Sequence, residues 1–425
     1  MSEENLVKIE QVGNYGFILP RKVIPKTLFF LIATLFYYSV AAQPGTKKDS
    51  VYIRKTDTVK QIDGVDVLKD IFRINISSKP DTAKIPPWKM LLSFAPAVGY
   101  TLEAEAQVSL AVNLSFYTGD QSNTNLSVIN TGGQYSVLHQ LMVPVISNIW
   151  SNNNKFDFLG DWRYYKYPSY TYGLGSNTSE SNADYVNYSY IKVYQEALRH
   201  FNSNYYLGFG YNLDYHYNII DNSPVTNYSQ YNGTATQTTS SGLVFHFMYD
   251  SRTNINNPQD AFYGSILYRD NSTLLGSSQN WQYVQLEARK YFKLSAHKVL
   301  AFWSWNEFTF GGKAPYFDLP SNGWDTYSNT GRGYIQGRFR GSDMVYGEAE
   351  LRFGITRNGL LGGVIFANAT SVTNWPQVKF NEIFPGEGVG LRIKFNKYSD
   401  VNVCVDYAFG IEGSRGFFFN LGEVF

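Results

Sequence analysis

The stretch Gly331–Phe353, GRGYIQGRFRGSDMVYGEAELRF, decides the fold. Its first half is a loop rich in glycine and arginine, from Gly331-Arg332-Gly333-Tyr334 to Gly341. Its second half alternates strictly. Val345, Gly347, Ala349, Leu351 and Phe353 share one face, and Tyr346, Glu348, Glu350 and Arg352 share the other. Charged residues alternate with apolar ones in a strand when one face is wet and the other apolar. An arginine loop beside inward-facing acids predicts a loop folded back into a polar lumen. The expected fold is therefore all-β, a transmembrane antiparallel β-barrel.

The composition agrees. Of 425 residues, 36 are Lys or Arg and 35 are Asp or Glu, a net charge of +1. Neither sign dominates, so no nucleic acid is expected as a partner. Charged residues make up 17% of the chain, against about 25% in soluble domains. Aromatic residues also reach 17%, with 34 Tyr and 30 Phe, as aromatic girdles and polar loops require. The partner that this composition implies is a lipid bilayer.

The N-terminal residues have the pattern of a signal peptide over 1–42. Arg21, Lys22 and Lys26 precede an apolar run from Leu28 to Tyr38, then Ser39-Val40-Ala41-Ala42 before Gln43. The run is short for a transmembrane helix, and no later apolar stretch has helix length. Export without a second anchor, followed by a barrel, predicts the outer membrane of a diderm bacterium. Residues 43–87 form a polar periplasmic extension with one amphipathic helix, in which Val65, Leu68 and Phe72 share a face. At about 45 residues it is too small for a separate catalytic domain.

The barrel is expected over 88–425. Sixteen strand candidates lie near 89–100, 104–118, 123–134, 138–150, 155–166, 185–199, 204–219, 239–250, 260–269, 280–292, 298–311, 344–356, 360–370, 387–396, 401–411 and 414–425. With both ends in the periplasm, the long connections 167–184, 220–238, 312–343 and 371–386 all fall outside. Most periplasmic turns are short, such as Asn202-Ser203 and Arg357 to Gly359; Ser251 to Gln259 is a longer one. This asymmetry is usual in such barrels. The longest outer loop is the sixth, and it carries Arg332. On the last strand, Phe417, Phe419, Leu421 and Phe425 share a face. That aromatic end is similar to the signal read by outer-membrane assembly machinery.

The motifs now become specific. Arg332-Gly333-Tyr334 resembles the Arg-Gly-Phe/Tyr motif in the sixth loop of the BamA/TamA superfamily, the bacterial surface antigen barrels that assemble or translocate outer-membrane components. The resemblance implies sixteen strands and a sixth extracellular loop folded into the lumen. There its arginine would pair with acids on strands 12 and 13. Glu350 matches the strand-12 acid. The strand-13 pattern Phe-x-Asp-x-Gly becomes Phe366-Ala367-Asn368-Ala369-Thr370, an amide in place of the acid. Asp250-Ser251-Arg252, with Pro258 and Gly264, resembles a further family pattern after strand 8. The likeness covers about residues 89–425. A guanidinium fork against a carboxylate is a directional, charge-assisted contact, which suits a loop anchor. The POTRA domains of family members that handle proteins are not expected in 43–87.

Pro96 lies inside the first strand, where it cannot donate to a ladder. The first strand should meet the last at the closing seam, so Pro96 and Phe425 are candidates for a weak lateral seam where relatives open.

Other chemistry is sparse. His139, His200, His216, His246 and His297 have no metal-ligand spacing. The single cysteine, Cys404, alternates within a strand and reads as a small lumenal side chain. There is no phosphate loop and no Gly-x-Ser-x-Gly elbow. No metal, cofactor or catalytic residue is expected, and the chain is not expected to be an enzyme. The functional expectation is outer-membrane protein or lipid assembly or translocation, with periplasmic or outer-membrane assembly partners. A passive pore or structural barrel, and a lipid-modifying enzyme, are the alternatives.

Overall fold

The computed structural model describes residues 59–64, 66, 67, 70, 85–202, 204–221, 227–232, 235–397 and 400–425. The expected signal-peptide stretch, 1–42, lies outside them, as do Val65, Leu68 and Phe72 of the expected amphipathic helix; Gly64, Asp66, Val67 and Asp70 are helical.

Eighteen strand segments make one antiparallel sheet, and two of them are only two or three residues long (Ser169–Thr171 and Lys379–Phe380). The remaining sixteen follow the expected order. They are β1 (Leu91–Thr101), β2 (Glu105–Phe116), β3 (Ser127–Ser136), β4 (Leu141–Trp150), β5 (Phe156–Lys166), β6 (Asp184–Asn202), β7 (Tyr205–Asp221) and β8 (Thr238–Asp250). Then come β9 (Ala261–Asn271), β10 (Trp281–Ser295), β11 (Lys298–Phe310), β12 (Asp343–Gly354), β13 (Leu361–Asn374), β14 (Phe384–Asn396), β15 (Val401–Phe409) and β16 (Arg415–Leu421). Each strand pairs with its successor.

The alternation that predicted strands also sorts their faces. On β12, Tyr346, Glu348, Glu350 and Arg352 are buried, while Val345, Ala349 and Leu351 are only partly covered. Leu207, Phe209, Phe245, Phe247, Ile266, Ile365 and Val389 stand exposed on the outer face. A wall that is apolar outside and charged inside matches a bilayer around a polar lumen, with backbone polar groups satisfied between strands.

Long connections gather at one end of the barrel: 167–183, 222–237, 311–342 and 375–383. The opposite end has mostly short turns. Two there are longer. One, after β8, was expected. The other, 117–126 between β2 and β3, was not, because Ser127 rather than 123 begins β3. At this end Ile62 donates its N–H to the Asn358 carbonyl at 2.9 Å, and Asp63 accepts from the Lys397 N–H at 3.0 Å. The chain ahead of the barrel thus ties together the turns after β12 and β14.

The seam differs from the other contacts. Among the described residues no backbone ladder joins β1 to β16, although a Cβ on Gly416 would come within 2.6 Å of Leu102. Pro96 sits in β1 opposite Leu110 of β2 and is exposed.

Phe425 requires a correction. The sequence places it on one face of the last strand with Phe417, Phe419 and Leu421, at the seam. Phe417, Phe419 and Leu421 are indeed exposed outside, but β16 ends at Leu421 and the backbone turns inward at Gly422, with φ of 90°. Phe425 is 2% exposed and stacks on Trp303 of β11 at 5.3 Å and near Tyr291 of β10 at 6.3 Å. A large aromatic gains more inside this lumenal cluster than a four-residue continuation of the alternation would give it.

Candidate functional site

The sixth loop, 311–342, enters the lumen, and Arg332 is its deepest charge. Gly331 and Gly333 flank it with φ of 80° and 110°, the left-handed region that glycine tolerates without strain. Gly333 also needs its bare Cα for space, since a Cβ there would lie 2.7 Å from the Phe409 carbonyl oxygen. The wall makes the same concession at Gly386 of β14, where a Cβ would meet the Arg332 carbonyl at 2.7 Å. Loop and wall therefore touch backbone to backbone, and the arginine side chain is delivered between them.

Arg332 is 1% exposed and meets three carboxylates. Its Nη2 donates to Glu350 Oε2 at 2.6 Å and to Glu348 Oε1, and its Nη1 donates to Asp406 Oδ2 at 2.5 Å. The guanidinium lies 3.6 Å over the Phe366 ring, a cation–π contact. Asn368 Nδ2 donates to the Arg332 carbonyl at 2.9 Å. Burial alone would favour the neutral arginine. The carboxylates of Glu348, Glu350 and Asp406 outweigh it and hold the guanidinium protonated well above its ordinary range.

The network continues through the wall. Arg352 Nε donates to Glu350 Oε1 at 2.6 Å, and Arg392 Nε to Glu423 Oε2 at 2.8 Å. Arg392 also binds Asp406 Oδ1. Three guanidiniums thus face four carboxylates, those of Glu348, Glu350, Asp406 and Glu423. Arg352 further donates to the Phe425 carbonyl at 2.9 Å, which ties the inward-turned tail to the same cluster.

Tyr334 fixes the loop a second time. Its hydroxyl donates to the Pro385 carbonyl at 2.5 Å and accepts the Ile411 N–H at 3.0 Å. Other contacts carry the loop to the opposite wall. Tyr167 Oη donates to Gln336 at 2.7 Å, and Arg163 to the Thr326 carbonyl at 3.0 Å. Asn329 Nδ2 reaches the Val424 carbonyl at 2.8 Å. The loop therefore spans the lumen and does not merely line one side of it.

One of its contacts is pH-sensitive. Asp318, in the loop, accepts from Ser240 Oγ at 2.5 Å and lies 3.5 Å from His216 Nδ1. Burial, with the nearby Asp214 carboxylate, pushes its carboxyl up to about 8. A carboxyl with a raised folded pKa stabilises docking fully below its free value near 4 and loses that contribution as pH rises through 8. Protease protection of the loop is therefore expected to fall between pH 4 and 8, by at most about tenfold per pH unit. Asp318→Asn should flatten that slope. A wild-type slope retained in the variant would assign it to another group.

Of the residues that the sequence singled out, Arg332, Gly333, Tyr334, Glu350, Phe366 and Asn368 converge at this site. Pro96 does not approach it, and Phe425 reaches it only through Arg352. The sequence left out Glu348, Arg352, Arg392, Asp406 and Glu423 as partners. Asp406 did carry a signal, its place on the inward face of β15 with Asn402 and Cys404. Cys404 is buried there, as expected, with Sγ 3.0 Å from the Gly422 carbonyl.

No protein-family model matches the sequence, and no curated protein matches it. Solved structures do. BamA from Haemophilus ducreyi lacking POTRA domains 1–3 superposes with a TM-score of 0.52 at 16% identity, over 80% of this chain and 73% of that one. CdiB from Escherichia coli gives 0.54 at 7% identity, over 79% and 63%. CdiB from Acinetobacter baumannii gives 0.51 at 12% identity, over 79% and 60%. The chain thus spans less than two thirds of either CdiB. The fold is a BamA-type barrel.

Proposed function

We propose that this chain is an outer-membrane barrel that assembles or translocates protein or lipid. The observation that carries the proposal is the sixth loop, held across the lumen by Arg332 against Glu348, Glu350 and Asp406. Such a plug blocks free diffusion through the barrel, so the working surface lies elsewhere. The β1–β16 contact is the one place where the wall lacks a ladder among the described residues, and Pro96 removes a donor from β1. An incoming strand or lipid is engaged there, beside a wall kept in shape by the anchored loop. Residues 1–42 direct export, 43–87 remain on the periplasmic side, and a separate periplasmic partner delivers the substrate.

Depletion of the protein in its own host, followed by quantitative proteomics and lipid analysis of the outer membrane, tests this. Several integral outer-membrane proteins, or one lipid class, should decline before growth slows. An outer membrane of unchanged composition would reject the proposal. Steady conductance of the purified barrel in planar bilayers would favour the passive pore instead.

A further inference from the structure

A second constellation stands in the lumen away from Arg332. Glu196 of β6, His246 of β8 and Ser265 of β9 are all buried. Glu196 Oε2 lies 2.6 Å from His246 Nδ1, and His246 Nε2 lies 2.8 Å from Ser265 Oγ. A carboxylate only accepts, so Nδ1 carries the proton. In the neutral ring Nε2 then accepts from the serine hydroxyl. That is the order of orienter, base and nucleophile used in serine acyl transfer, recognised by geometry and not by sequence spacing.

The wall is cut to permit it. Glu196 and His246 belong to strands separated by β7, and the inward positions of β7 between them are Gly208 and Gly210. A Cβ on Gly210 would come 2.7 Å from Glu196 Cγ, and one on Gly208 would come 3.3 Å from His246 Cβ. Any larger residue would block the reach across β7.

We infer that Ser265, His246 and Glu196 form an acyl-transfer site for carboxylic esters with an apolar acyl group. The acyl preference follows from the surroundings. Leu198, Val244, Met248 and Leu267, two positions along the same inward faces, are buried around the triad in an otherwise polar lumen. On the same inward face, the Tyr263 ring lies 4.3 Å from the Arg252 guanidinium and 5.4 Å from that of Arg289, which mark the polar edge of this apolar patch.

In the reaction, Ser265 Oγ attacks the ester carbonyl carbon while His246 Nε2 takes the hydroxyl proton. The tetrahedral oxyanion collapses, the bond to the alcohol oxygen breaks, and the departing alcohol receives that proton. Water then attacks the acyl-serine. It gives one proton to Nε2, and that proton returns to Ser265 as the carboxylic acid leaves. Glu196 is a positioning residue that fixes the tautomer.

The test uses the full barrel, purified and folded, with a short alkyl fluorophosphonate and p-nitrophenyl butyrate. The fluorophosphonate should modify Ser265, located by peptide mass spectrometry, and Ser265→Ala should lose both labelling and ester hydrolysis. His246→Gln should lower kcat by about 10²–10⁴-fold. Glu196→Gln should lower kcat with KM unchanged, and Glu196→Asp should recover part of it; a merely structural role would not separate kcat from KM. Heat-modifiable gel mobility confirms that each variant is folded. A folded wild-type barrel left unlabelled at Ser265, or hydrolysis equal in wild type and Ser265→Ala, would overturn the assignment.

Discussion

Arg332→Ala should release the sixth loop from the lumen. The substitution leaves Glu348, Glu350 and Asp406 facing one another with only Arg352 and Arg392 nearby. Removing one partner of a buried ion pair costs about 3–5 kcal/mol, chiefly because the remaining charge is stranded. At about 1.4 kcal/mol per decade, the open-loop population rises about 10²- to 10⁴-fold, and cleavage follows that population when opening is fast. Chymotryptic cutting at Phe339, which is 1% exposed in the docked loop, measures it. Arg332→Lys should fall between, since an ammonium keeps the charge but not the planar fork. Exchanging charges at Arg332 and Glu350 together should restore only part of the protection, because Glu348 and Asp406 would still oppose the new carboxylate. An unchanged cutting rate in Arg332→Ala would show that Tyr334 and the far-wall contacts hold the loop unaided.

Asp406→Asn should be almost as damaging, for it removes an acid shared by Arg332 and Arg392. The informative variant is Asn368→Asp, which puts the acid of the Phe-x-Asp-x-Gly pattern into the wall. In the native background it should destabilise. Its new oxygen would face the Arg332 carbonyl, where an amide N–H now donates, and the cluster already holds one more carboxylate than guanidinium. In the Asp406→Asn background the same change should help, since it returns the missing charge to within reach of Arg332. The expected double-mutant coupling is favourable and about 1–3 kcal/mol, in the range for residues in one network. Losses that simply add would mean that Asp406 has not taken over the strand-13 role.

The second result sets the value of the motif comparison. Phe366 and Asn368 match the family pattern at one position and depart from it at the other. By sequence, the amide looks like a lost anchor. In the barrel both residues still serve Arg332, one through its ring and one through the loop carbonyl. The carboxylate that Arg332 meets beyond β12 stands on β15, two strands around the wall from Asn368. Arg332 reaches inward residues of β12, β13 and β15 at once, so the charge can stand on a different strand while the contact survives.

What the sequence determined by itself was whatever depends on period. Alternation over β12, β14 and β15 set strand identity and facing, and the spacing of turns set the number of spanning strands at sixteen and made the arginine loop the sixth. These are local properties, since a period of two holds wherever a strand separates water from lipid. The tertiary structure alone decided which inward groups meet. Asp406 lies 74 residues from Arg332, and Ser265 lies 19 from His246 and 69 from Glu196. It also turned Phe425 inward, away from the face that the alternation gives it with Phe417, Phe419 and Leu421. Such contacts depend on strand tilt, register and the small residues that open the wall, Gly386 for the loop and Gly208 and Gly210 for the triad. Barrel closure fixes these quantities jointly, and no stretch of sequence states them.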